Sequence, residues 1–426
     1  MNTKRLNPYR LYLILEGLTS LAFAMIFMTS MIYQVSVVKL SPLQLVLVGT
    51  MLESIVFIFE VPTGIVADVY SRRLSVIIGI ILTGLGFMTE GLFPYFGTIL
   101  LAQVGWGLGA TFMSGALNAW MVDEVGENNA GPAFMRAAQV GQLTGLVGLL
   151  AGVIFGSLRI NLPIILGSSL LILLGGFLAL FMPETNFKPT PREDRTTWQN
   201  MTHTFKNGAK LVRMRPALMT FLGISFIGGL YSEGFDRLRD AHLLRNFSFP
   251  DLTLPVVGDL KPVVWFGIIN VVGMLMSAAV TEVLRRRVNT RNERLISRIL
   301  LTSDAIMIVG ILSYAWAGSF AVAVGALLLA RLMRTLPGPL YQTWLNQHID
   351  SDVRATVLSM DSQLNALGQI AGGPAVGAVG SYISIRAALT ISAFILSPGL
   401  YLYHRAGKYK SAVATEATTE VIVVTA

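Results

Sequence analysis

The sequence has no cysteine, few histidines and few charged residues, and each shortage narrows what it can be. Without cysteine there are no disulfides, thiolate metal ligands or thiol nucleophiles. The four histidines do not have the spacing of metal ligands. Charged residues make up 13% of the 426 positions, about half of the roughly 25% that is usual in soluble domains. Because 53% of the residues are hydrophobic, the chain is predicted to fold in a lipid bilayer.

Twelve apolar segments are long enough to cross a membrane, and each is about twice the length of a spanning β-strand. Helices are therefore predicted, because a helix satisfies its own backbone hydrogen bonds in lipid. The predicted fold class is an all-α membrane protein with twelve transmembrane helices. The segments are 10–34, 42–67, 74–93, 97–121, 134–158, 160–182, 216–235, 262–284, 295–316, 319–345, 355–380 and 383–403.

The net charge of +8 is better explained by membrane topology than by a nucleic-acid partner. If the N-terminus is inside, 23 of the 32 Lys and Arg residues fall in cytoplasmic segments and 7 fall outside. The positive-inside rule then places both termini in the cytoplasm of a multi-pass inner-membrane protein. The basic N-terminus resembles a signal peptide, but its apolar run continues to Tyr33 and predicts a retained span.

A polar interval divides the chain into two halves of six segments. The prediction is an N-terminal bundle over 1–183, a cytoplasmic linker over 184–215, a C-terminal bundle over 216–405 and a tail over 406–426. The halves echo each other: "GALNAWMVDE" ends segment 4 and "GPLYQTWLNQH" ends segment 10. Segments 5 and 11 share "QL" followed by small residues. Such internal repeats are typical of transporters built from two pseudo-symmetric bundles.

The loop "GIVADVYSRRLSV" after segment 2 resembles the signature of the major facilitator superfamily. Further phrases resemble its drug:proton antiporter branch, which includes macrolide and tetracycline exporters: "NPYRLYLILEG", "SGALNAWMVDE", "SEGFDRLRDAHLL" and "LGQIAGGPAVGAVG". The resemblance covers segments 1 to 12 and implies two bundles around a central cavity. The sequence departs from the pattern at Val69, Ser71, Gln103 and Asn118, and segment 5 lacks the usual Gly-Pro.

The resemblance implies a cytoplasmic gate around the signature loop. Asp68 is expected to face the N-terminal end of segment 11, whose partial positive charge attracts anions. Arg72 is expected to pair with an acid at the end of segment 4. The gate residues are Gly64, Asp68, Arg72, Arg73, Asp123 and Glu124. The alternative is that these charges are surface ion pairs that only fix topology.

Carboxyl groups inside apolar segments are candidates for function, because an unpaired charge in lipid is costly. Glu53 and Glu60 are seven positions apart, on one helical face, and Glu53 lies near mid-membrane where it could exchange protons. Segment 1 carries a polar stripe that includes Glu16 and Gln34 and is expected to face the cavity. Each acid could instead simply be satisfied by a neighbouring helix.

Segment 10 contains two arginines that need counter-charges. Asp361 and Asn365, or Asp304, are the expected partners of Arg331 and Arg334. These arginines are expected either to form a structural ion pair between helices or to contact the substrate. The predicted cavity set is Glu53, Glu60, Glu16, Gln34, Asn118, Arg331, Arg334, Asp361 and Asn365, with aromatic and Met surface from Phe23, Phe27, Phe57, Met113, Trp120 and Trp265.

Two further patterns predict helix contacts. Glu233, Asp236 and Arg237 lie on one charged face at the outer end of segment 7, either as an outer gate or as a solvated face, with Glu233 and Arg237 paired at i,i+4. Gly148, Gly152 and Gly156 in segment 5 permit a close helix crossing, which is expected at the seam between the bundles.

The predicted function is secondary active export of amphipathic or hydrophobic small molecules by alternating access, in exchange for protons. No nucleotide-binding loop, metal cluster or nucleophile–base set occurs in the sequence, so no enzyme activity and no cofactor beyond a proton gradient are expected. The expected partners are a small-molecule substrate, protons and the bilayer, with a monomeric protein and no nucleic acid. One alternative is a facilitator or flippase for a lipid-like or metabolite substrate with weak proton coupling. Another is a transport-inactive sensor or scaffold.

Overall fold

The computed structural model describes residues 6–189, 215–251, 253–254, 258–259, 261–289, 292–349 and 354–409. Most of the predicted linker over 184–215, from residue 190 to residue 214, and the predicted tail beyond residue 409 lie outside the described residues. Contacts divide the chain into two compact units. Unit 1 is Met1–Thr196 with Phe249–Gly267, and unit 2 is Thr197–Ser248 with Ile268–Ala426. The bundle boundaries expected at residues 183 and 216 stay a prediction.

Fourteen helices and one short hairpin occur in the described part of the chain. The helices of unit 1 are α1 (Pro8–Ser36), α2 (Pro42–Val69), α3 (Arg72–Leu92), α4 (Phe96–Met113), α5 (Ala116–Val125), α6 (Glu127–Leu158) and α7 (Leu162–Phe181). Those that follow are α8 (Pro216–Asn246), α9 (Pro262–Arg287), α10 (Glu293–Ala315), α11 (Phe320–Thr335), α12 (Pro337–Gln347), α13 (Arg354–Tyr382) and α14 (Ile385–Ala406). Strands β1 (Thr253–Leu254) and β2 (Gly258–Asp259), which were not predicted, pair antiparallel with Thr253 opposite Asp259.

The all-α membrane fold is confirmed. Eleven described helices are long and apolar enough to cross a membrane, counting α4 with α5 and α11 with α12 as one span each. α13 takes the place of the remaining predicted segment and is rich in Gly, Ala and polar residues. The order of elements thus gives six spans before the linker and six after it.

Local sequence explains where many of these helices begin. Serine side chains accept a hydrogen bond from a backbone N–H of the first turn of α2, α3, α11 and α14, which satisfies an otherwise unpaired donor. Proline occupies the first turn of α1, α2, α7 and α8, where no helical N–H is needed. α8 extends eleven residues past its predicted end, because charged residues there pair within the helix.

Two spans predicted as continuous are broken, and both breaks have a backbone cause. Between α4 and α5, Gly115 has φ +72° and ψ −40°, and the N–H of Ala116 donates to Ser114 O at 2.8 Å. This is a γ-turn, a backbone that glycine adopts with the least strain. Between α11 and α12, Pro337 supplies no N–H to continue the helix. Both breaks lie in fourth spans of their halves, as the sequence repeat would require.

The glycines of α6 pack against α1, within unit 1. A Cβ on Gly152 would lie 2.8 Å from Cβ of Met28, and one on Gly156 would lie 2.8 Å from Cγ2 of Thr29. The prediction of a close crossing is therefore confirmed. Gly148 and Gly152 contact α1 and not the expected seam, whereas a Cβ on Gly156 would also lie 3.1 Å from Cγ2 of Val263 in α9, the eighth predicted segment. Small residues let two helix backbones approach closely, so these glycines permit the contact between α1 and α6.

Unit 2 repeats the helix pairings of unit 1. α1 packs on α6 and α7, and α3 packs on α4 and α7; correspondingly, α8 packs on α13 and α14, and α10 packs on α11 and α14. The α8–α13 crossing is also close, since a Cβ on Gly372 would overlap the backbone carbonyl oxygen of Leu230. Each half has a buried tryptophan in the second part of its broken span, Trp120 in α5 and Trp344 in α12. The internal repeat read from sequence is thus present in three dimensions.

Candidate functional site

The signature loop lies in a charged cluster where α2 meets α3. Arg72 donates from Nη1 to Asp123 at the end of α5, and its Nη2 lies 3.7 Å from Asp68. Of the two acids expected as partners, Asp123 and Glu124, Asp123 is thus the one that pairs with Arg72, and the side chains of Arg72 and Asp123 are 21% and 25% exposed. Asp68 is 58% exposed. Gly64, one turn earlier, has no neighbouring atom that a Cβ would meet among the described residues.

Glu184 is a member of this cluster that sequence reasoning missed. Its carboxylate accepts from Ser71 Oγ at 2.6 Å and from the backbone N–H of Arg73 at 2.9 Å, so it caps the start of α3. The Arg73 guanidinium donates to Ala179 O at 2.6 Å. The only sequence signal for Glu184 is its place directly after the sixth predicted segment.

Glu124 does not share Arg72 with Asp123. It accepts from the backbone N–H and hydroxyl of Thr185 at 2.6 and 2.7 Å and from the N–H of Asn186 at 3.0 Å. Residues 183–186 are therefore hydrogen-bonded to the start of α3 and to the end of α5. Trp120 adds to this contact by donating from Nε1 to Pro183 O at 2.8 Å, so its indole is packed and is not open cavity surface.

The acids of α2 are half-buried within a helix that continues through Pro62. Glu53 and Glu60 lie two turns apart on one face of α2. Pro62 removes one helical N–H, and the neighbouring Thr63 hydroxyl donates to Phe59 O at 2.8 Å. α2 is therefore continuous from its apolar middle to the charged cluster.

The polar stripe of α1 is divided into two parts. Glu16 interacts with Tyr12 one turn away, and the Tyr12 hydroxyl donates to Asn118 Oδ1 at 3.3 Å. Gln34 lies far from this group and is 3% exposed, and its Nε2 donates to Glu90 Oε1 at 2.8 Å. Gln34 and the fully buried Glu90 thus belong to the packed interior of unit 1. The cavity-facing expectation for Gln34 is corrected accordingly, and Glu90 was missed.

The aromatic residues of α1 form a cluster with partners that were not predicted. Phe23 and Phe27 contact Phe87 and Trp106, with ring centroids 5.1–6.3 Å apart. Phe27 is 46% exposed, so this cluster reaches the surface of unit 1. Trp265 donates from Nε1 to Pro250 O at 3.3 Å, and the Met113 side chain packs against Gly79.

The arginines of α11 have partners different from those expected. Arg334 Nη2 lies 2.5 Å from Asp236 Oδ2, and Arg334 Nη1 donates to the Tyr231 hydroxyl at 2.8 Å. Arg331 Nη1 donates to Asn270 Oδ1 at 2.9 Å. The expectation that Asp361, Asn365 or Asp304 neutralises these arginines is wrong, because α8 presents Asp236 directly to α11.

The polar residues of α13 are held by α8 and α12. Asp361 accepts from the Tyr341 hydroxyl at 2.8 Å, and Asn365 donates to Ser225 O at 3.0 Å. Asn365 Oδ1 in turn accepts from Gln369 at 2.9 Å. These side chains therefore join helices within unit 2.

The charged face of α8 is not solvated. Glu233 is 4% exposed and accepts from Arg237 Nε at 2.9 Å, which confirms the predicted i,i+4 pair. Asp236 points instead to Arg334 and also accepts from Arg239 at 3.1 Å. The three residues thus divide between two separate ion-pair groups.

Two cavities lie within unit 2 and share Arg334. The first, of about 180 Å³, is lined by apolar residues, three tyrosines, Ser225, Asn365 and Asp304, which is 8% exposed. The second, of about 400 Å³, is lined by Asp236, Arg239, Arg331, Arg334 and Thr335. One half of the chain thus holds a mostly apolar space beside a strongly basic one.

Comparison with known proteins agrees with this architecture. The sequence profile of the Major Facilitator Superfamily matches residues 12–373. The chain belongs to this superfamily. It is therefore a multi-pass membrane transporter and not an enzyme. It is similar to the uncharacterized MFS-type transporter YxaM of Bacillus subtilis (strain 168), with 22% identity over 371 residues, covering 86% of this chain and 88% of that one.

Solved transporters of the superfamily have the same fold. The nucleoside transporter NupG aligns with a TM-score of 0.73 at 14% identity, over 94% of this chain and 100% of that chain. A bacterial homolog of the human lysosomal transporter Spinster, inward-facing and occupied, aligns with a TM-score of 0.72 at 14% identity, over 95% and 98%. The peptide transporter POT in complex with sulfate aligns with a TM-score of 0.69 at 12% identity, over 94% and 95%. At these identities the likeness concerns the fold alone.

Proposed function

We propose that this superfamily member is a secondary active transporter that exports amphipathic or hydrophobic small molecules in exchange for protons. The observation that carries the proposal is the set of half-buried acids in the first two spans, Glu16, Glu53 and Glu60. A carboxyl group in a transmembrane helix is costly unless it is protonated, paired or hydrated. Such a group can therefore load and release a proton as its surroundings change.

The Arg72 cluster supports the alternating-access part of the proposal. A mostly covered ion pair such as Arg72–Asp123 is worth about 1–2 kcal/mol, so it can break and re-form within a transport cycle. In the proposed cycle, Gly64, Asp68, Arg72 and Arg73 act with Asp123 and Glu124 as a cytoplasmic gate. The protein works as a monomer in the inner membrane with both termini in the cytoplasm, and the bundles 1–183 and 216–405 move relative to each other.

Gln103 favours a second candidate, a facilitator or flippase with weak proton coupling. This position carries arginine in many proton-coupled relatives, and here the glutamine is 2% exposed within α4. A neutral side chain cannot influence a nearby acid as a cation would. In this case a lipid-like or metabolite substrate would move without exchange for protons.

Flux through proteoliposomes distinguishes these functions. The full chain is reconstituted, and efflux of a panel of fluorescent amphipathic compounds is followed with a pH gradient imposed and with the gradient collapsed by an ionophore. Antiport predicts that the gradient accelerates efflux several-fold over protein-free liposomes. Equal flux with and without the gradient would support the facilitator, and flux of the whole panel equal to that of protein-free liposomes would contradict the proposed substrate class.

A further inference from the structure

The basic cavity of unit 2 has an uncompensated positive charge. Of the arginines around it, Arg239 is 3.1 Å from Asp236 and 3.6 Å from Asp240, and Arg334 is 2.5 Å from Asp236. In contrast, the described residues place no carboxylate within ion-pairing distance of Arg331. Leaving aside the neutral Glu233–Arg237 pair, three arginines (Arg239, Arg331 and Arg334) face two carboxylates (Asp236 and Asp240), and the surplus charge belongs to Arg331.

Arg331 lies within a membrane span, where an unpaired charge is energetically costly. It is near the middle of the span Phe320–Gln347, and its guanidinium is only partly exposed. Among the described residues, one of its five N–H donors is used, by Asn270 Oδ1 at 2.9 Å. A positive charge in a span normally pairs with an acid or faces a watery site of function.

The neighbouring groups favour an anion over a cation in this space. The buried Nε of Arg239 lies 3.6 Å from Asp240 Oδ1 and makes no hydrogen bond in the described part of the chain. Arg334 is fixed in orientation by Asp236 and the Tyr231 hydroxyl, and lines both cavities. A guanidinium donates two parallel hydrogen bonds to a carboxylate or phosphate, a geometry that a cationic ligand cannot use.

We propose that Arg331, with Arg239 and Arg334, binds the oxyanion group of an organic solute, a carboxylate or a phosphate. The adjoining cavity with Tyr231 accommodates the apolar body of the same solute. The inference rests on the proposed function only in taking this solute to be the transported compound. It gives the substrate class as amphipathic anions.

Binding to the purified full chain tests this assignment without any transport step. Benzoate, phenyl phosphate and the neutral benzamide are titrated calorimetrically into protein held in phosphatidylcholine nanodiscs. Wild-type protein is expected to bind both anions and to bind benzamide at least tenfold more weakly. Arg331→Gln is expected to weaken benzoate binding roughly 10- to 100-fold, which corresponds to the loss of charged hydrogen bonds.

Arg331→Lys and Arg285→Gln complete the design. The lysine keeps the positive charge but cannot donate two parallel hydrogen bonds, so the benzoate affinity of Arg331→Lys is expected to lie between those of wild type and Arg331→Gln. Arg331→Lys also replaces Arg331→Gln in the test if the glutamine variant does not fold. Arg285→Gln removes an exposed arginine of α9 and is expected to bind as wild type. The proposal would be overturned if wild-type protein bound neither anion, if it bound benzamide as tightly as benzoate, or if both Arg331 variants bound benzoate with wild-type affinity.

A repeat in phosphatidylglycerol nanodiscs separates a solute from a lipid headgroup. The proposal predicts equal benzoate affinity in both lipids, whereas benzoate binding lost only in phosphatidylglycerol would assign the site to the headgroup and overturn it. Because no gradient is involved, anion binding can be present when proton-driven flux is absent, and the two proposals fail separately.

Discussion

At the scale of single residues, the pair Arg72–Asp123 joins the start of α3 to the end of α5. Its side chains are mostly covered, so each charge depends on the other more than an exposed pair does. The resemblance to the family signature limited the partner of Arg72 to Asp123 or Glu124, because the motif and these acids lie at fixed places in the chain. It could not predict that Asp236 would take Arg334, since that depends on how α8 faces α11.

Loss of the Arg72 guanidinium is expected to destabilise the protein measurably. Arg72→Gln leaves Asp123 without its donor and should cost about 1–2 kcal/mol, lowering the midpoint of thermal unfolding in detergent. Arg286→Gln, which removes an arginine that is 71% exposed and paired with Glu282, serves as the control and should leave the midpoint unchanged. Equal midpoints for the two variants would mean that the Arg72 pair contributes nothing to the fold.

At the scale of elements, helix existence was predictable and helix interruption was not. The twelve segments follow from apolar length, because lipid permits little besides helices. The breaks after Met113 and before Pro337 fall inside the predicted segments 97–121 and 319–345. A glycine or proline within such a run is compatible with a continuous helix, as Pro62 in α2 demonstrates.

The γ-turn between α4 and α5 should tolerate only glycine at its centre. Gly115→Ala places a Cβ on a backbone with φ +72° and is expected to cost about 1–3 kcal/mol. Gly97→Ala in α4 is the matched control, since no atom lies within 4 Å of its added Cβ, and it should be neutral or stabilising by up to about 1 kcal/mol. Thermal unfolding of both variants decides the matter: if Gly115→Ala is as stable as Gly97→Ala, the turn is not strained by a side chain.

At the scale of the whole molecule, the two halves reuse one set of helix pairings with different polar contents. Unit 1 places half-buried acids on α1 and α2, whereas unit 2 places arginines beside its larger cavity. Repetition of the fold was visible in the sequence because the echoed phrases fall in equivalent spans. The division of charge between the halves appears only when α8, α9 and α11 are brought together.

This division gives the halves different proposed tasks, proton exchange in unit 1 and recognition of an anionic group in unit 2. Glu53 is central to the first task because it lies nearest the middle of its span. Glu53→Gln keeps the shape and removes the titratable group. The matched control is Glu282→Gln, an acid at the end of α9 that pairs only with exposed arginines in the described part of the chain.

The most direct test is the movement of protons caused by the substrate itself. Proteoliposomes containing a pH-sensitive dye, with equal pH inside and outside, receive a compound that the flux panel has identified as transported. Antiport predicts that the lumen becomes more alkaline as the compound enters in wild type and Glu282→Gln, and that the pH stays constant in Glu53→Gln. Entry of the compound into wild-type proteoliposomes without a change in lumenal pH would contradict the account, as would a wild-type pH change in Glu53→Gln.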